Sequence, residues 1–317
     1  MSLGFIDEIS RTQGIQRRDL IEKDLLLHRL LHRLSRQPEF KENYLFKGGT
    51  CLIKGHLGYY RFSEDVDFTW RHQVQFEGKT RNQLRRILSY KIGELGLLLE
   101  DFARDEEMDF TCDKSNREYV EFGGGNKTCT FKLWYTSKVL GIKSFIKVQV
   151  NYVERLCYPP VEQTVRSVVG DPSTETLTLF PEAARYTKPM ILWSYGIPEI
   201  LCEKARAILT RMAVKARDFV DIYMIEREAD VSLQEHMVCT VGKVKFMLRL
   251  YQKYRENLSG NKRLLESGEI FRWGEERTLL LKNIDDGDFY DHVSVLETQL
   301  LKIVEIVDQG SEPVTPT

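Results

Sequence analysis

The spacing of hydrophobic and polar positions divides the chain into a mixed front part and a helical rear. Over residues 19–36, Leu20, Leu26, Leu27, Leu30, Leu31 and Leu34 recur at helical spacing, with Arg29, His32, Arg33 and Arg36 off that stripe. This predicts an amphipathic helix limited by Pro38. His28 and His32 share one of its faces without a third metal ligand and read as a surface pair. Tyr44–Lys47 reads as a short strand, after which Gly48-Gly49-Thr50 turns into a short helix over 52–56. Gly58 marks a turn, and a second strand follows over 66–70 with acidic residues at its start. Residues 80–100 repeat the helical pattern through Leu84, Ile87, Leu88, Ile92 and Leu95. Two strands come next, over 129–135 and 145–153. In the latter, Ile146, Val148 and Val150 alternate with Lys147, Gln149 and Asn151. Gly123-Gly124-Gly125 predicts a flexible connection ahead of the first.

The segment 158–198 carries six prolines and predicts a domain boundary. Pro198 suits the first turn of a helix, and the pattern stays helical until a polar tail from 310. The expected fold is α+β: a small mixed sheet flanked by helices over 1–160, N-terminal helix included, a helical domain over 161–310 closing a cleft, and a flexible tail at 311–317.

A length of 317 residues agrees with two domains, since single cores seldom grow beyond about 250–300 residues. The 46 basic and 47 acidic residues leave a net charge of −1, so any nucleic-acid contact must come from local patches. No window approaches the roughly 20 apolar residues of a membrane helix. Charges at Asp7, Glu8 and Arg11 interrupt any signal-peptide core. Six scattered cysteines without a C-x-x-C pair predict reduced thiols, and with them a cytoplasmic protein.

The chemistry concentrates around the glycine turn. Two glycines between strand and helix let backbone N–H groups approach an anion such as a triphosphate. Asp65 and Asp67, two apart on a strand, leave the same face, while Val66 and Phe68 point into the core. Paired carboxylates repel unless a cation lies between them. Hard oxygen donors favour Mg²⁺, with Mn²⁺ as a substitute, and such an ion suits phosphoryl or nucleotidyl transfer. Ser63 precedes the pair by two positions and is expected on the same side.

Lys47-Gly48-Gly49-Thr50 with Leu52 and Lys54, followed by Arg61-Phe62-Ser63-Glu64-Asp65-Val66-Asp67-Phe68, resembles the signature of the AbiEii/AbiGii-type toxin nucleotidyltransferases. That family lies within the DNA-polymerase-β-like superfamily. Ile21-Glu22-Lys23-Asp24 in the first helix is similar to the family too, as is a second block with Glu203-Lys204, Arg211 and Arg217-Asp218-x-x-Asp221. The resemblance implies a polymerase-β-like domain that moves an NMP from an NTP to an acceptor hydroxyl, on a tRNA 3′ end or a protein. It also implies a toxin with a cognate antitoxin. Carried over residue by residue, it implies catalytic roles for Asp65, Asp67, Lys204 and Asp218, with Asp65 and Asp67 on the metal. Nucleotide contacts would come from Gly48, Gly49, Thr50, Ser63, Lys204 and Arg217. By position alone, Lys47 and Lys54 flank the glycine turn and read equally as further phosphate contacts or as solvated side chains.

One departure stands out. Relatives commonly carry a third carboxylate on a later strand, whereas 145–153 offers only Gln149 and Asn151 before Glu154. Either Asp218 or Asp221 supplies it, or the first pair suffices. By residue type alone, the second block reads as a salt-bridge network. Lys245, Arg249 and Lys253 with Tyr251 and Tyr254, with Lys243, Arg255, Lys262 and Arg263 nearby, and Arg29, Arg33 and Arg36, read as wet helix faces that could also meet nucleic acid. Two rivals use the same residues: a metal-dependent phosphohydrolase, and a nucleotide-binding interaction protein with weak or no catalysis.

Overall fold

In the computed structural model residues 1–309 are described, so the expected tail at 311–317 lies outside the described residues. The chain forms two compact units. One comprises Met1–Glu154 with Pro160–Tyr195, the other Arg155–Pro159 with the described residues 196–309.

The first unit holds six α-helices: α1 (Leu3–Gln13), α2 (Arg18–Ser35), α3 (Pro38–Asn43), α4 (Gly48–Cys51), α5 (Arg81–Asp105) and α6 (Thr174–Leu179). Its strands are β1 (Tyr44–Lys47), β2 (Asp65–Trp70), β3 (Val120–Gly123), β4 (Thr128–Thr136), β5 (Lys143–Asn151), β6 (Val161–Thr164) and β7 (Ile191–Ser194). They form one mixed sheet in the order β3-β4-β5-β2-β1-β7-β6. The fold is α+β, as the sequence predicts. The leucine stripe of α2 is buried throughout, and α5 turns Leu88, Ile92, Leu95, Leu99 and Phe102 inward. Thr80 and Gln83 start α5 with a reciprocal capping box.

Three parts of the unit depart from the expected pattern. The proline-rich segment contains β6 and β7, which complete one side of the sheet; β6, at its edge, carries no proline. The glycine triplet is no slack connection. Gly123 pairs with Thr128, and Gly124, Gly125 and Asn126 turn the β3–β4 hairpin with positive φ. His28 is buried rather than on the surface.

The second unit consists of α7 (Ile197–Thr210), α8 (Ala216–Glu228), α9 (Met237–Leu250), α10 (Lys253–Glu266) and α11 (Asp286–Gln309). Pro198 lies in the first turn of α7, which packs against α8, α9 and α10 and is buried almost all round. Asn261 of α10 donates to the carbonyls of Ile208, Leu209 and Arg211, partnering acceptors that a helix end leaves open. Cys157 and Cys239 are joined as a disulfide across 82 residues of sequence, so the expectation of six reduced thiols fails for this pair. Beside it Glu199 accepts the N–H groups of Cys157 and Tyr158 and pairs with the buried Lys243 at 2.5 Å. Lys243 is therefore not part of a wet basic face. Among the described residues no helix is long and apolar enough to cross a membrane.

The second block forms the polar centre of this unit. Lys204, only 8% exposed, lies 2.7 Å from Asp218 and 2.6 Å from Asp221, and Arg211 reaches the other oxygen of Asp218 at 2.6 Å. Burial pushes the Asp218 carboxyl up, but Lys204 and Arg211 outweigh it and hold the group well below the ordinary carboxylate range. Two cations thus balance two buried carboxylates. Removing one partner of such a cluster leaves an uncompensated charge. Lys204→Ala is therefore expected to lower stability by about 3–5 kcal/mol in urea denaturation. A loss within about 1 kcal/mol, as for an exposed pair, would contradict it. Because the Asp218 pKa is depressed by folding, its contribution is present above the unfolded value near about 3.9 and is lost as pH falls below it.

Candidate active site

The site begins with the register of two short strands. β1 runs antiparallel to β2 with Lys47 opposite Asp67, so the glycine turn that ends β1 is placed beside the acidic residues that begin β2. β2 is the central strand of the seven. Val66 and Phe68 are fully buried on one face, and Asp65 and Asp67 are half-buried on the other, as the alternation predicts.

Gly48 is constrained twice. Its φ of +76° lies in the left-handed region, and a Cβ there would sit 2.5 Å from Asp67 Oδ2. A Cβ on Gly49 would strike the Arg61 guanidinium and lie 3.4 Å from Ser63 Oγ. The turn therefore gathers Gly48, Gly49, Ser63 and Asp67 in one place. Thr50 is buried, and its hydroxyl donates to the backbone carbonyl of Asp65, tying α4 to the start of β2.

The motif cations are buried and engaged with protein groups. Lys47 pairs with Glu154 at 3.8 Å, and Lys54 lies 2.8 Å from Asp24 and 2.6 Å from the Tyr59 hydroxyl. Burial lowers the Lys54 pKa, with Asp24 opposing the shift. Arg61 donates to the carbonyl of Phe62 at 2.7 Å. In α2, Lys23 bonds Glu64 at 2.9 Å, while Glu22 accepts from Ser137 at 2.5 Å and from the Lys138 N–H at 2.7 Å. These contacts anchor α2 to the approach of β2 and to the loop after β4. The expectation of solvated, phosphate-facing Lys47 and Lys54 gives way to two buried ion pairs.

β5 lies parallel to β2, with Lys147 opposite Asp65 and Gln149 opposite Asp67. Lys147 Nζ is 3.7 Å from Asp65 Oδ1. This lysine carries no signal beyond its place on a polar strand face, and only the register brings it to the site. Two carboxylates and an amide on adjacent strands form a hard oxygen set suited to Mg²⁺, which usually takes one or two carboxylates and completes its shell with water and phosphate. The one cluster of three His, Cys, Asp or Glu ligand atoms within 4.8 Å of one another among the described residues is Cys157, Glu199 and Cys239. The disulfide and the Lys243 ion pair already engage those atoms.

In the second unit, Lys204, Asp218, Asp221 and Arg211 are brought together, and Arg217 is half-buried on the same helix as both aspartates.

Gly48 and Gly58 share nearly the same φ, +76° and +78°, but nothing lies within 4 Å of a Cβ built on Gly58. Gly48→Ala and Gly58→Ala should thus each carry a backbone cost of about 1–3 kcal/mol. Only Gly48→Ala should also displace the Asp67 carboxylate and abolish activity, a contrast that paired melting curves and turnover assays will read. Equal activity in the two variants would sever the turn from the acidic pair.

Residues 29–286 match the family profile described as nucleotidyl transferase AbiEii toxin, type IV TA system. No curated protein matches the chain significantly. Two solved structures from Helicobacter pylori are similar. JHP933 is 16% identical, covering 92% of this chain and 95% of that one at a TM-score of 0.42. The second, whose assignment as a nucleotidyltransferase is provisional, is also 16% identical, covering 90% and 96% at the same TM-score. The profile spans most of the sequence, from within α2 to the start of α11, and with the glycine turn set against the acidic strand this chain belongs to the AbiEii nucleotidyltransferase toxin family.

Proposed function

We propose that this nucleotidyltransferase moves an NMP from an NTP to an acceptor hydroxyl with Mg²⁺ held by Asp65 and Asp67, and that it acts as the toxin of a toxin–antitoxin pair. The observation that carries this reading is the packing of Gly48 against the Asp67 carboxylate on the central strand. That contact supports the reading because backbone N–H groups suited to a triphosphate stand next to carboxylates suited to a cation.

The bound cation would neutralise triphosphate charge and favour departure of pyrophosphate. Asp65 and Asp67 would hold it, with the Gln149 carbonyl alongside. Gly48 and Gly49 leave room for phosphate oxygens against the backbone, and Ser63 Oγ offers a donor beside Gly49. The acceptor oxygen forms a bond to the α-phosphorus as the bond to the bridging β-phosphate oxygen breaks, pyrophosphate leaves, and the hydroxyl proton passes to water. Thr50 sets the height of α4 against β2 through its hydrogen bond to Asp65. In this reading Lys204, Asp218 and Arg217 serve by maintaining the helical unit. The acceptor is a tRNA 3′ end or a protein hydroxyl, and the partner is a cognate antitoxin.

The test is incubation with each α-labelled NTP, Mg²⁺ and total RNA or protein, followed by identification of the labelled product. Asp65→Ala and Asp67→Asn should each reduce transfer by about 100-fold or more without loss of folding, because they remove charge at the metal rather than core contacts. Near wild-type transfer in either would sink the assignment. Release of free NMP without acceptor labelling would indicate a phosphohydrolase instead. A second reading, nucleotide binding without turnover, draws on Gln149 standing opposite Asp67; tight NTP binding with no product under Mg²⁺ or Mn²⁺ would favour it.

Lys147 opposes cation binding beside Asp65 before nucleotide arrives. Lys147→Met should therefore tighten Mn²⁺ affinity of the nucleotide-free protein, read by paramagnetic titration. Unchanged or weaker Mn²⁺ binding would place the cation away from Asp65.

A further inference from the structure

α2 contributes to a polar cavity within the first unit. About 550 Å³ in volume, it lies between the second half of α2, the end of α5 and the turn over residues 181–188. Such a volume falls in the range of small-molecule sites, roughly 300–1,000 Å³. None of its lining residues belongs to the glycine turn or to β2. Lys23, which meets Glu64 just before β2, precedes Arg33 by ten residues, or about 15 Å along the helix.

The lining is unbalanced in charge. Arg29 pairs with Glu106, and Arg33 lies 3.5 Å from Asp105. Arg36, Arg185 and Lys188 form no ion pair among the described residues, which leaves three exposed cations around one concavity. They come from two segments distant in sequence, so helical periodicity alone does not account for their convergence. Like charges gathered in this way are relieved by a multivalent anion, and a single carboxylate would leave most of the excess in place.

His28 lines the same cavity. It is 1% exposed, and neither of its ring nitrogens has a hydrogen-bond partner. Burial, aided by Lys54 and His32, lowers its pKa to about 2, so the ring is neutral at physiological pH and offers one donor and one acceptor. A buried polar group of this kind calls for a partner. Arginine forks favour phosphate among polyvalent anions. An extended single-stranded nucleic acid would need open stacking faces, but Phe102, the phenyl ring in the lining, is 2% exposed.

We propose that this cavity is a second anion site, taking a small molecule with a chain of phosphates, either inorganic polyphosphate or the tail of a free nucleotide. Arg36, Arg185 and Lys188 hold the phosphates, and His28 hydrogen-bonds the innermost group. The site stands independently of the transfer reaction assigned to Asp65 and Asp67.

The test is calorimetric titration of the full chain with tripolyphosphate, ATP and AMP in EDTA, so that no divalent cation recruits phosphate to the acidic pair. Arg36→Gln/Arg185→Gln/Lys188→Gln should weaken tripolyphosphate binding about tenfold or more. Lys245→Gln/Arg249→Gln/Lys253→Gln, which removes the same charge elsewhere, and Asp65→Ala/Asp67→Ala should change it less than about twofold. Tighter binding of ATP than of tripolyphosphate would identify a nucleotide tail; equal or weaker binding would identify the inorganic chain. The ¹⁵N resonances of the His28 ring should shift on addition of tripolyphosphate to wild type and stay still in the cavity triple variant. Absence of saturable binding, equal losses in both triple variants, loss confined to the Asp65/Asp67 variant, or binding that leaves His28 unmoved would each overturn the proposal. So would a single-stranded RNA that needs the three cations when tripolyphosphate does not bind.

Discussion

The contact between the Gly48 backbone and the Asp67 carboxylate governs the candidate site. A side chain at position 48 would collide with the carboxylate, and the backbone there adopts a φ that disfavours any residue but glycine. The contact exists because β1 and β2 pair with Lys47 opposite Asp67. A slip of one residue would turn Asp65 and Asp67 toward the core and Val66 and Phe68 outward. The full burial of Val66 and Phe68 therefore holds the carboxylates on the polar face as firmly as any polar contact does.

Around this contact the chain uses buried charge to fix position. Lys47, Lys54 and Arg61 are each no more than 2% exposed, and all belong to the motif that resembles the nucleotidyltransferase signature. Their partners are Glu154, Asp24 with Tyr59, and the Phe62 carbonyl. Such pairs add little net stability over apolar packing, yet each is costly to break, so they favour one arrangement over its neighbours. Lys204 with Asp218 and Asp221, and Lys243 with Glu199, repeat the device in the helical unit. The basic residues of this motif are thus engaged by protein groups rather than left to solvent.

Much of this was legible before any coordinates. β1 coincides with the strand expected at Tyr44–Lys47, the leucine stripe of α2 is buried, and the D-x-D alternation places its residues as predicted. These features follow from local periodicity. What escaped depends on tertiary register. Nothing in the residues around Lys147 indicates that it will stand beside Asp65, because that follows from parallel pairing across more than 70 residues. β6 and β7 are four residues each, too short to show a period among prolines. His28 shares a helical face with His32, and its burial depends on chain distant in sequence, such as Tyr186, whose ring lies 5.9 Å away.

The composition of β5 bears on how the proposed chemistry would be ordered. With Lys147 and Gln149 opposite Asp65 and Asp67, the two carboxylates share their surroundings with one positive charge and one neutral amide. A third carboxylate at the Gln149 position would make the local charge more negative by one. The actual arrangement attracts a divalent cation less strongly when no nucleotide is present. A triphosphate brings several anionic oxygens of its own and would supply the charge that the strand lacks. Its negative charge would also draw the flexible Lys147 ammonium from Asp65 towards phosphate, freeing a carboxylate oxygen for the metal. On the proposed reading, then, cation and nucleotide assemble the site together, and Lys147 exchanges one anionic partner for another as they do so.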